Sequence, residues 1–472
     1  MLTLCLAASV LGGPLDTVTE TRVRIDALKN LAVMQPEALG IGVAVWDEHM
    51  LDKEIPSLVR NAGWKVVRYP GGSYADLYQW KTHSATKGME ANIQPGKDFD
   101  SFMGLCRKSG TTPLITVNYG SNPDGTGGAE PAYAAEWVRY ANKTKGYGVK
   151  YWEIGNEVYG NGFYNGKGWE VDLHSPESGE RLKNPLLGPT EYGRNVSRFS
   201  KAMKAEDPTV KVGAVMTTPG GWPDGVEPDW NTNVLKECGT DVDFVVVHWY
   251  GEGKSQQEIL DSLRKVPELL AKLKAKCLSI AGREIPIWMT EGDGNDTNLR
   301  ASGALFAADH YMTWLGNGAA HVNWWNLHNG LSHWQGQYGD QGILSSGHTN
   351  RGVAQPPANT PFSPYYGVQM VDRAAKPGDT FVPAASDRKT LVAHAVRQKS
   401  GRLAVMLINQ DTDHATLAEI EIAGFKPGTP GDRFELGRGQ SRIKRSRIEA
   451  EPKLKVAVPA TGIVVVTFPA SR

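Results

Sequence analysis

Between residues 38 and 335, eight short apolar runs alternate with longer stretches in which apolar residues recur with helical period. Strands that are apolar almost throughout, each followed by a helix, are typical of a parallel sheet covered by helices. Eight such units in succession predict a closed (β/α)8 TIM barrel. The runs lie at residues 41–46, 64–70, 113–120, 149–157, 210–216, 243–250, 285–291 and 319–326.

An open, doubly wound sheet is the alternative arrangement of the same α/β pattern. Such a sheet usually carries a glycine-rich phosphate-binding turn after its first strand. Here the first run ends in Trp46, Asp47 and Glu48, and no GxGxxG motif follows it. The sequence therefore favours the barrel.

After residue 335 the helical period fades, and short β-type runs separated by Gly, Pro and Asp take its place. This pattern predicts a small C-terminal antiparallel β-sandwich domain. The segment TRVRIDA (21–27) alternates polar with apolar residues, so we expect it to add a strand to that sandwich. We therefore divide the chain into a leader-like segment (1–17), an N-terminal strand segment that joins the β domain (18–36), the barrel (37–362) and the sandwich (363–472).

The charge balance narrows the possible partners. The 472-residue chain carries 51 basic and 51 acidic residues, so it has no charge excess that would attract nucleic acid. The apolar segment 2–13 is too short to span a bilayer and resembles the hydrophobic part of a secretion signal. We expect a secreted or periplasmic protein, with a cytoplasmic location left open, and no nucleic-acid or membrane partner. The oligomeric state is left open as well.

The four cysteines, Cys5, Cys106, Cys238 and Cys277, form no CxxC pair or His/Cys cluster of the kind that binds zinc. Whether Cys238 and Cys277 pair is open, although buried free thiols are the simpler expectation. We expect neither a metal ion nor an organic cofactor.

The C-terminal ends of the strands carry the chemistry of a TIM barrel. In this chain those ends hold two glutamates surrounded by amide, phenol, imidazole and indole side chains. Amides and carboxylates bond to hydroxyl groups, and aromatic faces pack on the C–H faces of sugar rings, so this set indicates a carbohydrate substrate. The candidate site residues are Arg68, Asn118, Asn156, Glu157, His248, Tyr250, Glu291, Trp325 and Asn326.

Glu157 ends the fourth apolar run and Glu291 ends the seventh, on strands that face each other across an eight-stranded ring. Breaking a glycosidic bond needs an acid for the leaving oxygen and a carboxylate for the sugar carbon. Carboxyl groups about 5 to 5.5 Å apart predict retention of configuration, and a wider gap predicts inversion. We expect Arg68 to keep Glu291 ionised, which leaves Glu157 as the acid with the raised pKa.

Three neighbours are expected to support this pair. Tyr250 is placed to donate a hydrogen bond to Glu291, and His248 to orient Tyr250, Glu157 or a sugar hydroxyl. Asn156 is placed to bond the sugar 2-hydroxyl.

Strict alternation along a strand would send Asn156 and Glu157 to opposite faces. Both can serve one site only if the strand ends or bulges there, which the preceding Gly155 permits. Glu153, earlier in the same strand, is expected to be a buried structural carboxylate with a cationic or amide partner. Asp47 is either a sugar contact or a turn residue, and the same two alternatives stay open for Glu48.

Two long connections, at residues 158–188 and 329–342, are rich in Gly and aromatic residues. Long connections in a compact domain are usually functional, so we expect both to wall the site. A closed pocket would favour removal of terminal sugars, and an open groove would favour internal cleavage. We favour the pocket.

Four short motifs at the predicted rim resemble those of the clan A glycoside hydrolases. Within that clan they look like the α-L-arabinofuranosidases of family 51 and the neighbouring xylosidase-type family 39. The motifs are YWEIGNE (151–157), RYPGG (68–72), HWY (248–250) and MTEGD (289–293).

The resemblance implies that Glu157 is the acid/base, that Glu291 is the nucleophile, and that Asn156 and Tyr250 support them. Arg68 matches the arginine that the clan carries on strand two. The chain departs from family 51 at residues 68–69, where it reads Arg-Tyr and that family commonly reads Arg-Trp. The family's sugar-contacting glutamate after strand one has only Glu48 as a candidate here.

The expected function is a retaining, exo-acting α-L-arabinofuranosidase that acts on plant-type polysaccharide or its fragments. Other clan A specificities remain alternatives, namely a β-xylosidase, a β-glucuronidase or an endoglycanase. A non-catalytic carbohydrate-binding barrel is the alternative from another class of protein.

Overall fold

The computed structural model describes residues 19–160, 170–174, 188–219, 230–334, 337–451 and 453–471. Eight parallel strands form a closed barrel and follow one another around the ring in sequence order. The predicted (β/α)8 barrel is therefore confirmed. Barrel strands 1 to 8 are Leu39–Gly42, Val66–Tyr69, Thr112–Val117, Tyr151–Ile154, Lys211–Val215, Phe244–His248, Ile287–Glu291 and His321–Trp324.

Helices cover the outside of the ring, and their ends follow from local sequence. The helix that begins at Phe99 is capped by Asp98, whose carboxylate accepts a hydrogen bond from the Ser101 N–H. The same helix ends at Ser109, and Gly110 caps it with a φ of +70°. The α-helices are Ile55–Ala62, Phe99–Ser109, Pro131–Val138, Pro189–Glu206, Trp230–Cys238, Gln256–Ser262, Val266–Ala281, Ser302–Gly316 and Ser363–Ala374. Shorter helical segments are Gly72–Asp76, Arg139–Thr144, Val158–Gly160, Leu263–Lys265 and Asn295–Thr297.

The barrel interior changes from apolar to polar along the strands. Val66, Leu114, Tyr151 and Phe244 belong to one buried cluster. Side chains two residues further along a strand point to the same face, and in three of these strands that next inward residue is polar. These polar residues are Arg68, Thr116 and Glu153. The strands therefore deliver charged groups to the C-terminal end of the barrel.

Two sheets form the second domain, and one cluster of buried side chains contains residues of both. The predicted β-rich C-terminal domain is therefore confirmed, and the shared cluster is consistent with a sandwich. The larger sheet contains, in spatial order, Ala32–Val33, Thr380–Val382, Leu391–Arg397, Leu403–Asn409, Gly462–Phe468, Gly431–Leu436 and Lys444–Ile448. The smaller sheet contains Ala384–Ser386, Thr19–Asp26, Thr416–Ala423 and Leu454–Val458.

Three two-stranded ribbons pair Tyr78–Gln79 with Ser84–Ala85, Ser332–Trp334 with Gln337–Gly339, and Thr349–Asn350 with Val353–Ala354.

The N-terminal strand Thr19–Asp26 lies inside the smaller sheet, where Val23 and Ile25 face the core. It runs parallel to Thr416–Ala423 and antiparallel to Ala384–Ser386. The sandwich is therefore antiparallel except at this one pairing. The strand enters from the opposite end of the chain, so no hairpin constrains its direction.

The helix Ser363–Ala374 packs against the barrel helices Ser302–Gly316 and Ile55–Ala62. It thus takes the outer position between the last and the first unit of the ring. The boundary predicted between residues 362 and 363 assigns this helix to the sandwich, and we propose to move that boundary to after Ala374. The predicted leader-like segment 1–17 lies outside the described residues.

Cys106, Cys238 and Cys277 are buried free thiols. In the part of the chain that the structure describes, no helix has the length and apolar character needed to cross a membrane.

Candidate active site

Glu157 reaches the rim because its strand stops early. Barrel strand 4 ends at Ile154, and Gly155 follows with a φ of +74°. Glu157 itself has a φ of +34°, in a region that residues with a side chain rarely adopt. The main chain therefore leaves the strand in a sharp bend, here called the Gly155–Glu157 elbow. This bend replaces the alternation that would otherwise separate Asn156 from Glu157.

Glu291 reaches the rim by a different irregularity. In the pairing of barrel strands 6 and 7, Val247 lies opposite Met289, but the next residue, His248, lies opposite Glu291. The extra residue is Thr290, so strand 7 carries a β-bulge at its end. The bulge brings Glu291 to the same side as His248.

The two glutamates meet over the mouth of the barrel. One carboxylate oxygen of Glu157, one of Glu291 and a ring nitrogen of His248 all lie within 4.8 Å of one another. His248 Nδ1 is 2.8 Å from Glu157 Oε1 and 3.7 Å from Glu291 Oε2. The Glu157 side chain is 15% exposed and that of Glu291 is 7% exposed, so the pair is open to solvent mainly on the Glu157 side.

Arg68 lies beneath this pair and connects it to the barrel interior. Its Nη1 donates to Glu291 Oε2 at 3.0 Å, and its Nε donates to Glu153 Oε2 at 2.8 Å. Its Nη2 donates to Asn156 Oδ1 at 2.8 Å. Glu153 is fully buried and also accepts a bond from Thr116 Oγ1. Glu153 is therefore a buried carboxylate with a cationic partner, as we expected from its place in the strand.

Burial raises the pKa of Glu291 above its ordinary value, and the nearby charge of Glu157 adds to the rise. His248, Arg68 and the Tyr250 hydroxyl act in the opposite direction without cancelling it. Arg68 was expected to hold Glu291 ionised, and on balance its effect is too small, because the carboxyl lies in a buried position beside a second carboxyl. The ionised form of Glu291 is therefore favoured by these three groups together.

Burial lowers the pKa of His248, but the carboxylates of Glu291 and Glu157 outweigh burial and the net pKa is raised. Burial and Glu291 raise the pKa of Tyr250 well above its ordinary value, so this phenol stays protonated. Tyr250 donates to Glu291 Oε1 at 2.6 Å. His248 contacts Glu157, which is one of the three alternatives left open for it.

Asn156 is bonded on both sides of its amide. Besides accepting from Arg68, it donates through Nδ2 to Glu170 Oε1 at 2.8 Å, and Glu170 also accepts from Ser73. Asn118 forms its hydrogen bonds outside this group. Its amide donates to the Tyr78 carbonyl and accepts from the Ser121 N–H, so it braces the turns after strands 2 and 3.

Trp325 and Asn326 lie at the end of barrel strand 8, and both donate to Asn329 Oδ1. The Trp325 indole lies 6.0 Å from that of Trp46 between ring centroids. It also covers Gly72, where an added Cβ would lie 2.5 Å from the indole. Trp325 thus forms an aromatic wall on the strand 1 and strand 2 side.

The residues after barrel strand 1 have different surroundings. Asp47 is buried, accepts from the His49 N–H and contacts His328 Nδ1 at 2.8 Å, as a turn residue would. Glu48 is exposed and pairs with His348 at 2.9 Å. The predicted wall at residues 158–188 lies mostly outside the described residues, whereas the segment 329–342 includes the ribbon that pairs Ser332–Trp334 with Gln337–Gly339.

Sequence reasoning missed three buried acidic or phenolic side chains behind the pair, Asp76, Glu170 and Tyr159. Burial raises the pKa of Asp76 to about 7 and that of Glu170 well above its ordinary value. Burial and the charge of Glu157 raise the pKa of Tyr159, which shares a hydrogen bond with Glu157. These residues lie in turns, where no apolar periodicity marks them.

Glu157, His248 and Glu291 could each offer one ligand atom to a metal ion. A divalent ion at that point would lie next to the Arg68 guanidinium, which bonds directly to Glu291. Like charges repel strongly at such separations in a buried site. The arrangement therefore fits a hydrogen-bonded acid pair better than a metal centre.

No family model matches the chain. A probable α-L-arabinofuranosidase C from Aspergillus clavatus is 26% identical over 308 residues, which cover 57% of this chain and 51% of that protein. An intracellular exo-α-(1→5)-L-arabinofuranosidase from Bacillus subtilis is 25% identical over 228 residues, which cover 43% of this chain and 40% of that protein. The chain thus spans about half or less of the length of these curated relatives.

Solved structures agree on the fold. An α-L-arabinofuranosidase from Thermotoga maritima superposes with a TM-score of 0.71 at 17% identity, over 95% of this chain and 99% of that one. A family 51 α-L-arabinofuranosidase from Bifidobacterium longum gives 0.74 at 14% identity, over 96% and 100%. Together with the curated relatives, these structures confirm the predicted resemblance to family 51 within the clan A glycoside hydrolases.

Replacing Arg68 with Met should lower the free energy of unfolding by about 3–5 kcal/mol, because the buried Glu153 carboxylate loses its cation. Urea denaturation measures this loss. The double variant Arg68→Met/Glu153→Gln should recover part of it. The control is Arg194→Met, which removes an arginine that is 54% exposed and pairs with Glu237, and it should cost less than about 1 kcal/mol. Equal losses in Arg68→Met and Arg194→Met would contradict the assignment of Arg68 as a buried charge partner.

Replacing Tyr250 with Phe should move the acid limb of the kcat/KM–pH profile to higher pH. The phenol bond lowers the pKa of Glu291, so its loss raises that pKa further, and a carboxylate that reacts in its ionised form then needs a higher pH. Tyr365→Phe is the control, because Tyr365 is a buried phenol that donates instead to the Leu58 carbonyl. An acid limb that stays in place or moves to lower pH in Tyr250→Phe would rule out this role.

Proposed function

We propose that this chain is a retaining, exo-acting α-L-arabinofuranosidase that acts on plant-type polysaccharide or its fragments. The observation that carries the proposal is the approach of the Glu157 and Glu291 carboxylate oxygens to within 4.8 Å. Retaining glycosidases hold their two carboxyl groups about 5 to 5.5 Å apart, whereas inverting ones need about 6.5 to 9.5 Å for a water molecule. An oxygen-to-oxygen approach this close favours the retaining arrangement.

In the proposed first step a Glu291 oxygen attacks the anomeric carbon of the sugar. The bond from that carbon to the leaving oxygen breaks, and Glu157 gives its proton to that oxygen. In the second step Glu157 takes a proton from water, the water oxygen attacks the same carbon, and Glu291 is released as a carboxylate. Two displacements on one carbon retain its configuration.

The neighbours fit these roles. Arg68 bonds one oxygen of Glu291 and Tyr250 bonds the other, so both stabilise the charge on the attacking and released carboxylate. The Asn156 amide nitrogen has two N–H groups and gives one to Glu170. We assign the other to the sugar 2-hydroxyl, an interaction that strengthens in the transition state.

Trp325 is the proposed aromatic face for the sugar ring or the neighbouring unit. For Asn118 and Asn326, which bond within their connecting turns, we propose a supporting role rather than sugar contact.

Arabinofuranose is the proposed sugar because the curated relatives are named arabinofuranosidases, one of them exo-acting. Export is part of the proposal and rests on the apolar segment 2–13, whereas the Bacillus subtilis relative is named intracellular.

The purified chain should hydrolyse 4-nitrophenyl α-L-arabinofuranoside in preference to the matching xyloside, glucuronide and glucoside. On phenyl α-L-arabinofuranoside, whose leaving group needs protonation, Glu157→Ala should lower kcat/KM by on the order of 10²–10⁴-fold because acid/base catalysis is lost. Glu291→Gln should reduce turnover of either arabinofuranoside toward the uncatalysed rate. The control is Glu37→Gln at the other end of the barrel, where Glu37 accepts from Tyr151; this variant should keep its activity.

Cleavage of the xyloside with an inert arabinofuranoside would show that the sugar is misassigned. Equal and negligible hydrolysis by the wild type and Glu291→Gln on every glycoside would favour a non-catalytic carbohydrate-binding protein.

A further inference from the structure

Asp76 joins three of the connections that leave the barrel rim. It closes the short helical turn Gly72–Asp76 after strand 2, and its side chain is fully buried. Its Oδ1 accepts from the main-chain N–H groups of Tyr119 at 3.0 Å and Gly120 at 3.1 Å, which follow strand 3. Its Oδ2 accepts from the Asn156 N–H at 2.8 Å, which follows strand 4. One carboxylate therefore fixes the main chain after strands 2, 3 and 4.

The bond to Asn156 acts at the centre of the Gly155–Glu157 elbow. Residues on both sides have positive φ, +74° at Gly155 and +34° at Glu157. Such a conformation in a residue with a side chain is strained and persists only where the surroundings enforce it. An added Cβ on Gly155 would lie 3.2 Å from Asp76 Oδ1 and 2.6 Å from Val158 Cγ2. Asp76 thus both bonds the elbow and packs against it.

Asn156 is held at three separate points. Its main-chain N–H bonds to Asp76, its side-chain nitrogen bonds to Glu170, and its side-chain oxygen accepts from Arg68. Only the first of these bonds acts on the main chain. Because Glu157 is the next residue, the peptide that Asp76 holds sets the point from which the Glu157 side chain departs.

We propose that Asp76 is a positioning residue for the acid/base step, which sets the direction of the Glu157 carboxyl by holding the Gly155–Glu157 elbow. Asp76 acts through the main chain of Asn156, to which its Oδ2 is bonded. This inference rests on the proposed function, in which Glu157 protonates the leaving oxygen. A purely structural carboxylate would lower stability when altered, without changing how the rate depends on the leaving group.

Asp76→Asn tests the inference with almost no change in shape. The amide has one oxygen for three N–H donors, so one donor must face the new NH2 group. The readout is the ratio of kcat/KM for phenyl to that for 2,4-dinitrophenyl α-L-arabinofuranoside. Phenoxide leaves poorly and needs the acid, whereas dinitrophenoxide leaves without it. We expect this ratio to fall about tenfold or more, which is part of the 10²–10⁴-fold that acid/base catalysis contributes.

The matched control is Asp379→Asn. Asp379 is also a buried carboxylate and accepts main-chain N–H bonds from Lys376 and Lys399, but it lies beside the sandwich. Its variant should keep the wild-type ratio. Glu157→Ala gives the ratio for complete loss of the acid. If Asp76→Asn is not recovered folded, Gly155→Ala strains the same elbow with Asp76 in place, and the same fall in the ratio is expected.

The inference is overturned, and the proposed function stands, if Glu157→Ala lowers the ratio while folded Asp76→Asn leaves it unchanged. The same outcome in Gly155→Ala counts equally where that variant replaces Asp76→Asn. A ratio unchanged in Glu157→Ala itself would overturn the proposed function and the inference with it. A fall of the same size in Asp379→Asn would also count against Asp76, because the effect would then follow from destabilisation in general.

Discussion

The Arg68 guanidinium is a buried cation, only 1% exposed, and its burial is tolerable only because its counter-charges lie in contact with it. Removing a charge from water costs several kcal/mol unless partners with good geometry repay it. Glu153 inside the barrel and Glu291 at the rim are those partners, and Asn156 accepts a hydrogen bond from the third guanidinium nitrogen. Since Arg68 is on strand 2, Glu153 on strand 4 and Glu291 on strand 7, the requirement to neutralise one cation ties three strands into a single arrangement.

Two local irregularities turn that arrangement into a pair of facing acids. In regular strands His248 would pair with Thr290, so Glu291 would point away from His248, and Asn156 would be separated from Glu157. The bulge at Thr290 and the left-handed bend at Gly155 reverse these directions at one point each. Burial and the charge of Glu157 raise the pKa of Glu291, and His248, Arg68 and the Tyr250 hydroxyl limit that rise.

Much of this architecture could be predicted from periodicity. Eight apolar runs indicated the barrel, and the residues that end them included both glutamates, Arg68 and Tyr250, because chemistry in this fold gathers where strands end. The same rule placed Asn118 in the site, but an amide close to a tight turn can bond to the turn itself, and periodicity does not distinguish the two outcomes. Asp76 and Glu170 were missed because they lie in connections, whose paths depend on tertiary contacts rather than on any repeating pattern. The parallel direction of the N-terminal strand was hidden for a similar reason, since its partner is nearly 400 residues away in sequence.

The central claim is that Glu157 and Glu291 act on one anomeric carbon in two successive displacements. Proton NMR of the reaction in the presence of methanol tests it most directly, because methanol can replace water in the second step and fixes the configuration of the product as a methyl glycoside. With an aryl α-L-arabinofuranoside as donor, we expect methyl α-L-arabinofuranoside as the first transfer product. A first product of the β configuration would contradict the two-step arrangement of the glutamates.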